Sequence, residues 1–272
     1  MMEVEWILGG LIFMGRLKIA SFNVKDNLRN YLMGGTRKKG QQSNAEVLSS
    51  LVKKENFDLL GTQEMTVRYA NRLKKQLPDY RLFGGYRLGN GVLRYLPQNE
   101  SNLIFSKYKV ISDETIPLPF VPSFLRDFLL SLRRGALIPR IVTCLMVEIS
   151  KENYLWVINT HLDYLIKEVQ QRQLNVLRSF ISALSAYYPI VLMGDFNMEL
   201  NDSLFSSFVS FLTQHGMKRV PIQGSTWKNK MLDYLFVPQN WKIEQYGILK
   251  NKELSPLSDH FPIYVEVSYP SS

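Results

Sequence analysis

Cysteine is almost absent from this chain, and its scarcity excludes two kinds of site. The single cysteine, Cys144, has no partner for an intramolecular disulfide, and a zinc site built on several thiolates is excluded. It lies in the apolar run IVTCLMVEI, which predicts a small buried core residue. This cysteine usage fits a reducing compartment, and we expect a cytoplasmic protein.

Long hydrophobic runs are also lacking. The apolar stretch 6–14 is far too short to span a bilayer, and Glu3 and Glu5 stand where a signal peptide would carry positive charge. We therefore expect no stable membrane insertion. No linker or internal repeat divides the chain, so we predict a single domain over residues 17–272. Residues 1–16 are predicted to be an N-terminal extension, either loosely attached or paired as an extra edge strand.

Glycine motifs that bind phosphate are missing as well. The glycine-rich stretches 34–40 and 84–91 match neither a P-loop nor a dinucleotide-binding fingerprint, so we predict flexible loops there. The 33 basic residues exceed the 24 acidic ones, and the net charge of +9 favours a polyanionic partner such as nucleic acid or an anionic membrane. Many soluble proteins have a high pI, so charge alone does not identify the partner.

Short β-rich runs recur along the chain, with amphipathic helices among them. A helix is predicted over 43–56, where Ser43 and Glu46 have the spacing of a capping box. Further helices are predicted over 67–77, 165–187 and 204–215. Strands are predicted over 17–22, 57–64, 80–84, 102–107, 141–149, 153–162, 189–194, 232–237, 242–249 and 261–267. The pattern indicates a mixed sheet, or two packed sheets with helices outside.

The stretch 113–140 is ambiguous because prolines punctuate it. Within it, SFLRDFLLSLRR has the apolar spacing of an amphipathic helix. Two interpretations remain open: a plain surface excursion, or a lid that faces the substrate or touches a membrane.

Several predicted strands end or begin in polar residues that are costly to bury. One such end is ordinary, but six of them indicate a common site. Their polar residues are Asn23, Glu64, His161, Asp163, Asp195, Asn197, Asp233, Asp259 and His260.

These residue types indicate a narrow range of chemistry. Oxygen donors without cysteine suit a hard cation such as Mg²⁺ or Mn²⁺, which neutralises charge on a phosphoryl oxygen. A nearby aspartate can orient or deprotonate a water, while asparagine and histidine hold phosphoryl oxygens. An imidazolium needs a carboxylate partner to stay protonated, and Asp233 and Glu100 are candidates for that role. The set predicts metal-assisted hydrolysis of a phosphate ester.

In this order, the segments SFN, TQE, NTHLD, GDFN, LDYLFV and SDH resemble the motifs of the endonuclease/exonuclease/phosphatase family. The resemblance covers roughly residues 17–268. It implies an α/β (α+β) fold, a four-layer α/β/β/α sandwich in which two packed mixed β-sheets are flanked by helices. It also places the active site at one end of the two sheets.

The resemblance implies a metal side of the site. Glu64 matches the central ligand of Mg or Mn, with Asn23 and Asp259 beside the ion. Asp195 matches the residue that orients or activates the attacking water. Asn197 matches a donor to the phosphate.

The resemblance also implies a phosphate side. His260 matches a histidine that contacts the scissile phosphate, and Asp233 the carboxylate that pairs with it. His161 matches a second histidine, and Glu100 is similar to its carboxylate partner. Arg140 is similar to an arginine near the phosphate.

Other residues depart from the pattern or receive no role. Enzymes of this family that act at abasic sites carry an acidic residue where this chain has Lys25, and an asparagine where it has His161, which argues against abasic-site repair. His215 is assigned to a helix end. Trp227 is predicted to be a packing residue.

We predict a hydrolase of phosphate esters that depends on Mg or Mn. The leading substrate is nucleic acid, cleaved by a monomeric phosphodiesterase with Arg37 and Lys38 gripping the backbone at the rim. One alternative is a phospholipid or phosphoinositide phosphodiesterase or phosphatase, whose residues 120–134 touch a bilayer. The other is a catalytically silent binding protein on the same scaffold.

Overall fold

A computed structural model describes residues 3–7, 10–25, 43–96, 99–133, 139–250, 254 and 257–271. The described helices are α1 (Asn44–Glu55), α2 (Val67–Gln76), α3 (Leu125–Arg133), α4 (Lys167–Leu184) and α5 (Ser203–Gln214), with a 3₁₀ turn at Val92–Tyr95. The described strands are β1 (Glu3–Ile7), β2 (Gly10–Asn23), β3 (Leu59–Met65), β4 (Arg81–Tyr86), β5 (Ser101–Ser106), β6 (Lys109–Leu118), β7 (Arg140–Ser150), β8 (Asn153–His161), β9 (Ile190–Asp195), β10 (Met217–Arg219), β11 (Asp233–Pro238), β12 (Lys242–Ile248) and β13 (Ile263–Ser271).

Two mixed sheets form the centre of the fold. One has the order β12-β13-β2-β3-β5-β4, with β1 paired to β2, and the other has the order β10-β11-β9-β8-β7-β6. Each sheet contains one parallel pair, β2 with β3 and β8 with β9. A helix crosses over between the two strands of each pair, α1 in the first sheet and α4 in the second. The predicted four-layer α/β/β/α sandwich is confirmed.

The alternation of side chains along the strands explains the layers. In β2, Leu17 and Ile19 point into the core between the sheets, while Ala20 and Phe22 point into the core beneath α1 and α2. A third core lies between the second sheet and helices α4 and α5, and Cys144 is buried there as predicted. Both faces of the central strands are therefore covered, which is why their sequences read as continuous apolar runs.

Local signals in the sequence account for several element boundaries. The capping box at the start of α1 is confirmed, because the Ser43 hydroxyl accepts from the Glu46 N–H and the Glu46 carboxylate accepts from the Ser43 N–H. The predicted helix within 113–140 is confirmed as α3. The first residues of that stretch do not form a surface excursion. They belong to β6, an edge strand over residues 109–118 that pairs with β7. Six of its ten side chains are exposed and only Leu118 is buried, so it lacked an apolar pattern.

The N-terminal residues join the first sheet. Backbone pairing between β1 and the first residues of β2 forms a hairpin, and β2 then continues without interruption to Asn23. Residues 13–21 of β2 pair with β13. The domain boundary at residue 17 stays a prediction. No helix in the described part of the chain has the length and hydrophobicity that crossing a membrane requires.

Buried amide side chains connect the two sheets. Asn159 in β8 donates to the backbone carbonyls of Thr62 and Leu103 at 2.9 and 3.0 Å, and it accepts from Gln63 Nε2 at 2.6 Å. Asn102 donates to the carbonyl of Ile141 at 2.6 Å. These contacts favour one relative position of the packed layers, because slippage would leave further buried groups unpaired.

Gly194 allows a close approach of β9 to β8. Its φ angle is +146°, and a Cβ atom there would lie 1.9 Å from the carbonyl oxygen of Thr160. The next residue along the strand is Asp195. The backbone conformation that presents Asp195 at the end of β9 therefore requires glycine.

We expect Gly194→Ala to lower the free energy of unfolding by about 1–3 kcal/mol from backbone strain alone, with a further loss from the clash. Urea denaturation measures this. Gly91→Ala is the matched control, because a Cβ there enters open space. Equal stability of the two variants would contradict the tight approach of the strands.

Candidate active site

The ends of the two parallel strand pairs meet at one edge of the sandwich, called here the site edge. Asn23 ends β2, Glu64 lies near the end of β3, His161 ends β8 and Asp195 ends β9. In register, His161 is paired with Asp195, and Asp195 with Asp233 at the start of β11. Segments far apart in the sequence therefore deliver these side chains to one place, as the strand-end pattern predicts.

Glu64 reaches the cleft through an irregularity in its strand. Its φ angle is +57°, and the register between β3 and β5 shifts between Gln63 and Met65. A bulge of this kind re-aims a side chain that would otherwise alternate into the core. The Glu64 carboxylate accepts from Asn23 Nδ2 at 3.2 Å and lies 3.7 Å from His161 Nε2, and its side chain is 20% exposed.

Asp195 is the buried centre of the site. Its Oδ2 accepts from Asn23 Nδ2 at 3.0 Å, and its Oδ1 accepts from the N–H of Asn197 at 2.9 Å. The side-chain amide of Asn197 donates to the carbonyl of Leu162 at 3.0 Å, which fixes the turn after β9. Burial, followed by the negative charge of Asp233, raises the pKa of Asp195. A carboxylate in this state is a stronger base than an exposed one.

His260 and Asp233 form a buried pair. His260 Nδ1 lies 2.9 Å from Asp233 Oδ2, and His260 Nε2 lies 3.7 Å from Asp195 Oδ2. Burial acts to lower the pKa of His260, but the charge and hydrogen bond of Asp233, with Asp195 and Asp259 nearby, raise it to about 9. His260 therefore carries a positive charge at neutral pH. The predicted pairing of these two residues is found in the structure.

His161 has the opposite state. Arg87 Nη2 and Arg140 Nη1 approach its Nδ1 at 3.1 and 3.0 Å, and Arg140 Nη1 lies 3.1 Å from its Nε2. Guanidinium groups only donate, so Nδ1, which both approach, is assigned as the acceptor. The proton is then assigned to Nε2, which also faces the carboxylates of Glu64 and Asp195 at 3.7 and 3.6 Å. Burial, then Arg140 and Arg87, hold the pKa of His161 well below its usual value. The site thus contains one cationic and one neutral histidine.

Arg87 is a site residue that the sequence analysis missed. It lies within the glycine-rich stretch 84–91, which was predicted to be a flexible loop, yet Arg87 is buried. Glu100 Oε2 forms an ion pair with Arg87 Nη1 at 2.5 Å, and Arg87 in turn contacts His161. The predicted link between Glu100 and His161 is therefore made through this arginine. Its position after β4, with its N–H donating to the carbonyl of Glu100, shows only in the structure, so no local signal in the sequence indicated it. Burial, followed by Arg87, lowers the pKa of Arg140 to about 10, which leaves Arg140 charged at neutral pH.

Asp259 lies at the edge of the cleft with two donors. Its Oδ2 accepts from the Lys25 ammonium and from Trp227 Nε1, the latter at 2.8 Å. Its Oδ1 is buried and has no hydrogen-bond partner. Trp227, predicted to be only a packing residue, therefore contributes a donor to the site. Lys25 has a φ angle of +40°. Because its ammonium group binds Asp259, a metal ion that binds Asp259 would compete with Lys25 for the carboxylate.

A cavity of about 450 Å³ opens at the site edge. Tyr164, Lys230 and Leu232 line it, and the sequence analysis assigned none of them. Its remaining lining residues are Lys25, Glu64, Arg140, His161, Asp195, Asn197, Trp227 and His260. Arg37 and Lys38, predicted to bind substrate, lie outside the described residues.

One group of donors has the spacing that a divalent cation requires, and two carboxylates elsewhere in the site are further candidates. Asp195, Asp233 and His260 offer ligand atoms within 4.8 Å of one another, although a hydrogen bond already joins His260 to Asp233. On the other side, the Glu64 carboxylate faces the cavity and the buried Oδ1 of Asp259 lacks a partner. An unpaired buried carboxylate oxygen is costly, and a hard cation is the partner that carboxylate oxygens suit.

Comparisons with known proteins agree with this geometry. The sequence profile of the Endonuclease/Exonuclease/phosphatase family matches residues 21–260. No curated protein matches the chain in sequence. Among solved structures, an endonuclease/exonuclease/phosphatase family protein from Bacteroides thetaiotaomicron is similar with a TM-score of 0.73 and 21% identity, over 95% of this chain and 99% of that chain.

Two other similar structures are those of phosphatases. Mannosyl-6-phosphatase Bt3783 from Bacteroides thetaiotaomicron has a TM-score of 0.73 and 19% identity, over 93% of this chain and 100% of that chain. ANGEL2, a 2′,3′-cyclic phosphatase in complex with adenosine-2′,3′-vanadate, has a TM-score of 0.68 and 17% identity, over 98% of each chain. At these identities the likeness shows the fold alone.

The two histidines are expected to titrate far apart in the metal-free protein. The chain has three histidines, so NMR resolves them with His215→Gln as the assignment aid. We expect His260 to titrate near pH 9, and His161 to stay neutral well below pH 6.5. Asp233→Asn should lower the pKa of His260, because burial remains while the carboxylate is lost. A similar pKa for both histidines would contradict the arrangement.

The same shifts predict how stability depends on pH. The His260 pKa is raised on folding, so its contribution is fully present below about pH 6.5 and is lost as the pH rises through about 9. The His161 pKa is lowered on folding, so its contribution is lost as the pH falls below 6.5. The raised pKa of Asp195 opposes the loss on the acid side, so the alkaline side is the test. Urea denaturation should show stability falling as the pH rises through about 9, and His260→Gln should remove that loss.

Removing the Lys25 ammonium should strengthen binding of a divalent cation. Lys25→Met frees the Asp259 carboxylate and removes a positive charge, so we expect the Mg²⁺ or Mn²⁺ affinity to rise on the order of tenfold by calorimetry. Lys230→Met is the control, because Lys230 lines the same cavity but pairs with Glu199 at 3.7 Å. Equal effects of both variants would argue against competition at Asp259.

Proposed function

The chain belongs to the endonuclease/exonuclease/phosphatase family, whose members are metal-dependent phosphoesterases, and on this premise we propose that it hydrolyses phosphate esters at the site edge. The observation that supports the proposal is the convergence of Glu64, Asp195 and the His260–Asp233 pair around one cavity. A metal ligand, a base and a cationic donor are the parts that phosphate-ester hydrolysis requires. A catalytically silent scaffold would not need all three.

We propose that Glu64 holds a divalent cation with Asn23 and Asp259 beside it. When bound, such an ion neutralises charge that develops on a phosphoryl oxygen and on the leaving oxygen. Asn23 also donates to Asp195, so it links the metal side of the site to the base. The choice between Mg and Mn stays open, because carboxylate and amide oxygens suit both ions.

Asp195 would orient the attacking water and accept its proton. Its raised pKa brings it closer to neutral pH, where proton transfer to a carboxylate is most effective. The N–H of Asn197 and the amide of Asn23 hold both of its oxygens, so its orientation is fixed before substrate binds.

The two histidines would contact the phosphoryl group in different ways. His260, held as a cation by Asp233, would donate from Nε2 to a phosphoryl oxygen as negative charge increases. His161 would donate a hydrogen bond from Nε2 without adding charge. Arg140 lines the cavity and would supply positive charge behind His161.

The substrate is less defined than the reaction. Nucleic acid stays a prediction, because part of its support came from residues 37–39, which lie outside the described residues. The monomeric state also stays a prediction. Lys25, Lys230 and Arg140 line the cavity and suit an anionic substrate of any backbone.

We expect Glu64→Gln and Asp195→Asn each to lower hydrolysis of bis-p-nitrophenyl phosphate by about 10²–10⁴-fold in Mg²⁺ or Mn²⁺. Chelation with EDTA should abolish turnover, and added metal should restore it. Asp113→Asn is the matched control, because Asp113 is exposed on the edge strand β6. Thermal unfolding verifies that the variants are folded. Full turnover in both site variants would overturn the assignment.

A further inference from the structure

Two exposed apolar segments leave the sandwich at the site edge. The first connects β4 to β5, whose ends Tyr86 and Ser101 are paired there. The second connects β6 to β7, where Leu118 is paired with Arg140. Strand β4 faces β6 across the sandwich, since a Cβ on Gly85 would touch the Thr115 side chain. The two connections therefore start from neighbouring strands at the edge where the cavity opens.

Large apolar side chains in these segments point into solvent. Val92 is 87% exposed, Leu125 is 72% exposed and Phe124 is 66% exposed. The other exposed apolar side chains of the two segments are Leu88, Leu93, Tyr95, Leu96, Val121, Leu129, Leu130 and Leu132. Most of the exposed large hydrophobic residues in the described part of the chain are in this set. Apolar surface gathered in this way marks an interaction site.

Both segments are attached to the site. Arg87, which contacts His161, directly precedes Leu88, and Arg140 begins the strand that follows the second segment. The second segment is also fixed to the start of α4, because the Ser123 hydroxyl and N–H donate to Glu168 at 2.6 and 3.0 Å. The apolar side chains thus have a defined position relative to the cavity.

The charge next to the apolar surface is predominantly positive, with Asp127 in α3 and Glu168 in α4 as the acidic residues there. Helix α2 follows Glu64 and β3, contacts the 3₁₀ turn of the first segment and contains no acidic residue. Its basic residues Arg68, Arg72, Lys74 and Lys75 are exposed. In the second segment, Arg126 and Arg133 are exposed beside the apolar face of α3. An apolar surface with basic residues beside it is complementary to an anionic lipid surface, whose acyl boundary takes the apolar groups.

We propose that residues 88–96 and 121–133 form a docking surface for an anionic phospholipid bilayer. Docking through this surface places the mouth of the cavity over lipid headgroups. The substrate is then a phosphate ester presented at a membrane surface, a statement that rests on the proposed phosphoesterase function. A second copy of this chain, or a nucleic acid, is the competing occupant.

The test is co-sedimentation with vesicles of phosphatidylcholine and phosphatidylserine, compared with vesicles of phosphatidylcholine alone. We expect the wild-type protein to bind the anionic vesicles more tightly, and Val92→Asp/Phe124→Asp/Leu125→Asp to lower the partition coefficient at least about tenfold. The matched control is Tyr187→Asp/Tyr246→Asp, because Tyr187 is 79% exposed but lies in the connection to β9, at the opposite end of that strand from Asp195. The control should bind as the wild type does.

Activity on a soluble substrate separates docking from catalysis. The triple variant should hydrolyse bis-p-nitrophenyl phosphate at the wild-type rate, while Glu64→Gln should bind vesicles normally and lack turnover. If the wild type bound vesicles but did not hydrolyse bis-p-nitrophenyl phosphate, the proposed function would be wrong and the docking surface would still be supported. The docking proposal would be overturned if the wild type did not bind vesicles, or if the control variant lost as much binding as the triple variant. It would also be overturned if the wild type formed dimers or bound duplex DNA but not vesicles, and the triple variant lost that dimerisation or DNA binding.

Discussion

The structure depends on keeping several buried polar groups stable at one edge of a sandwich. Asp195 is enclosed by protein, and an unpaired carboxylate in such a position would cost several kcal/mol. Hydrogen bonds from Asn23 and Asn197 and the nearby His260 cation offset part of that cost, and the raised pKa of Asp195 reflects the part that remains. Each of these partners comes from a different part of the chain. The Asp195 carboxylate can be buried because the strand order and the registers bring these partners to it.

The two histidines show how one fold produces opposite protonation states over a short distance. His260 has a carboxylate partner and is a cation, whereas His161 has two guanidinium partners and is neutral. Both are buried, so the sign of the neighbouring charges decides the difference. An enzyme that needs one charged and one uncharged donor at the same pH obtains both in this way.

Much of the fold and of the site could be predicted from the sequence, because the information is local. The capping box of Ser43, the apolar runs and the polar strand ends all depend on residues close together in the chain. Arg87 could not be predicted, because its role depends on His161, which only the packing of the two sheets brings near. The ion pair between Lys25 and Asp259 is non-local in the same sense. Strand β6 was missed because an edge strand with exposed polar side chains has no periodic apolar signal.

The amide side chains of Asn159 and Gln63 join the two sheets just below the site. The packed sheets and the connections at the site edge are therefore under different structural constraints. The contacts of these amides hold the two sheets together below the reacting groups, so connections that carry no site residue can change in length or polarity without moving Asp195 or His161. Relatives that share about one residue in five with this chain still superimpose over nearly its whole length. The two sheets can therefore be preserved while most of the sequence changes.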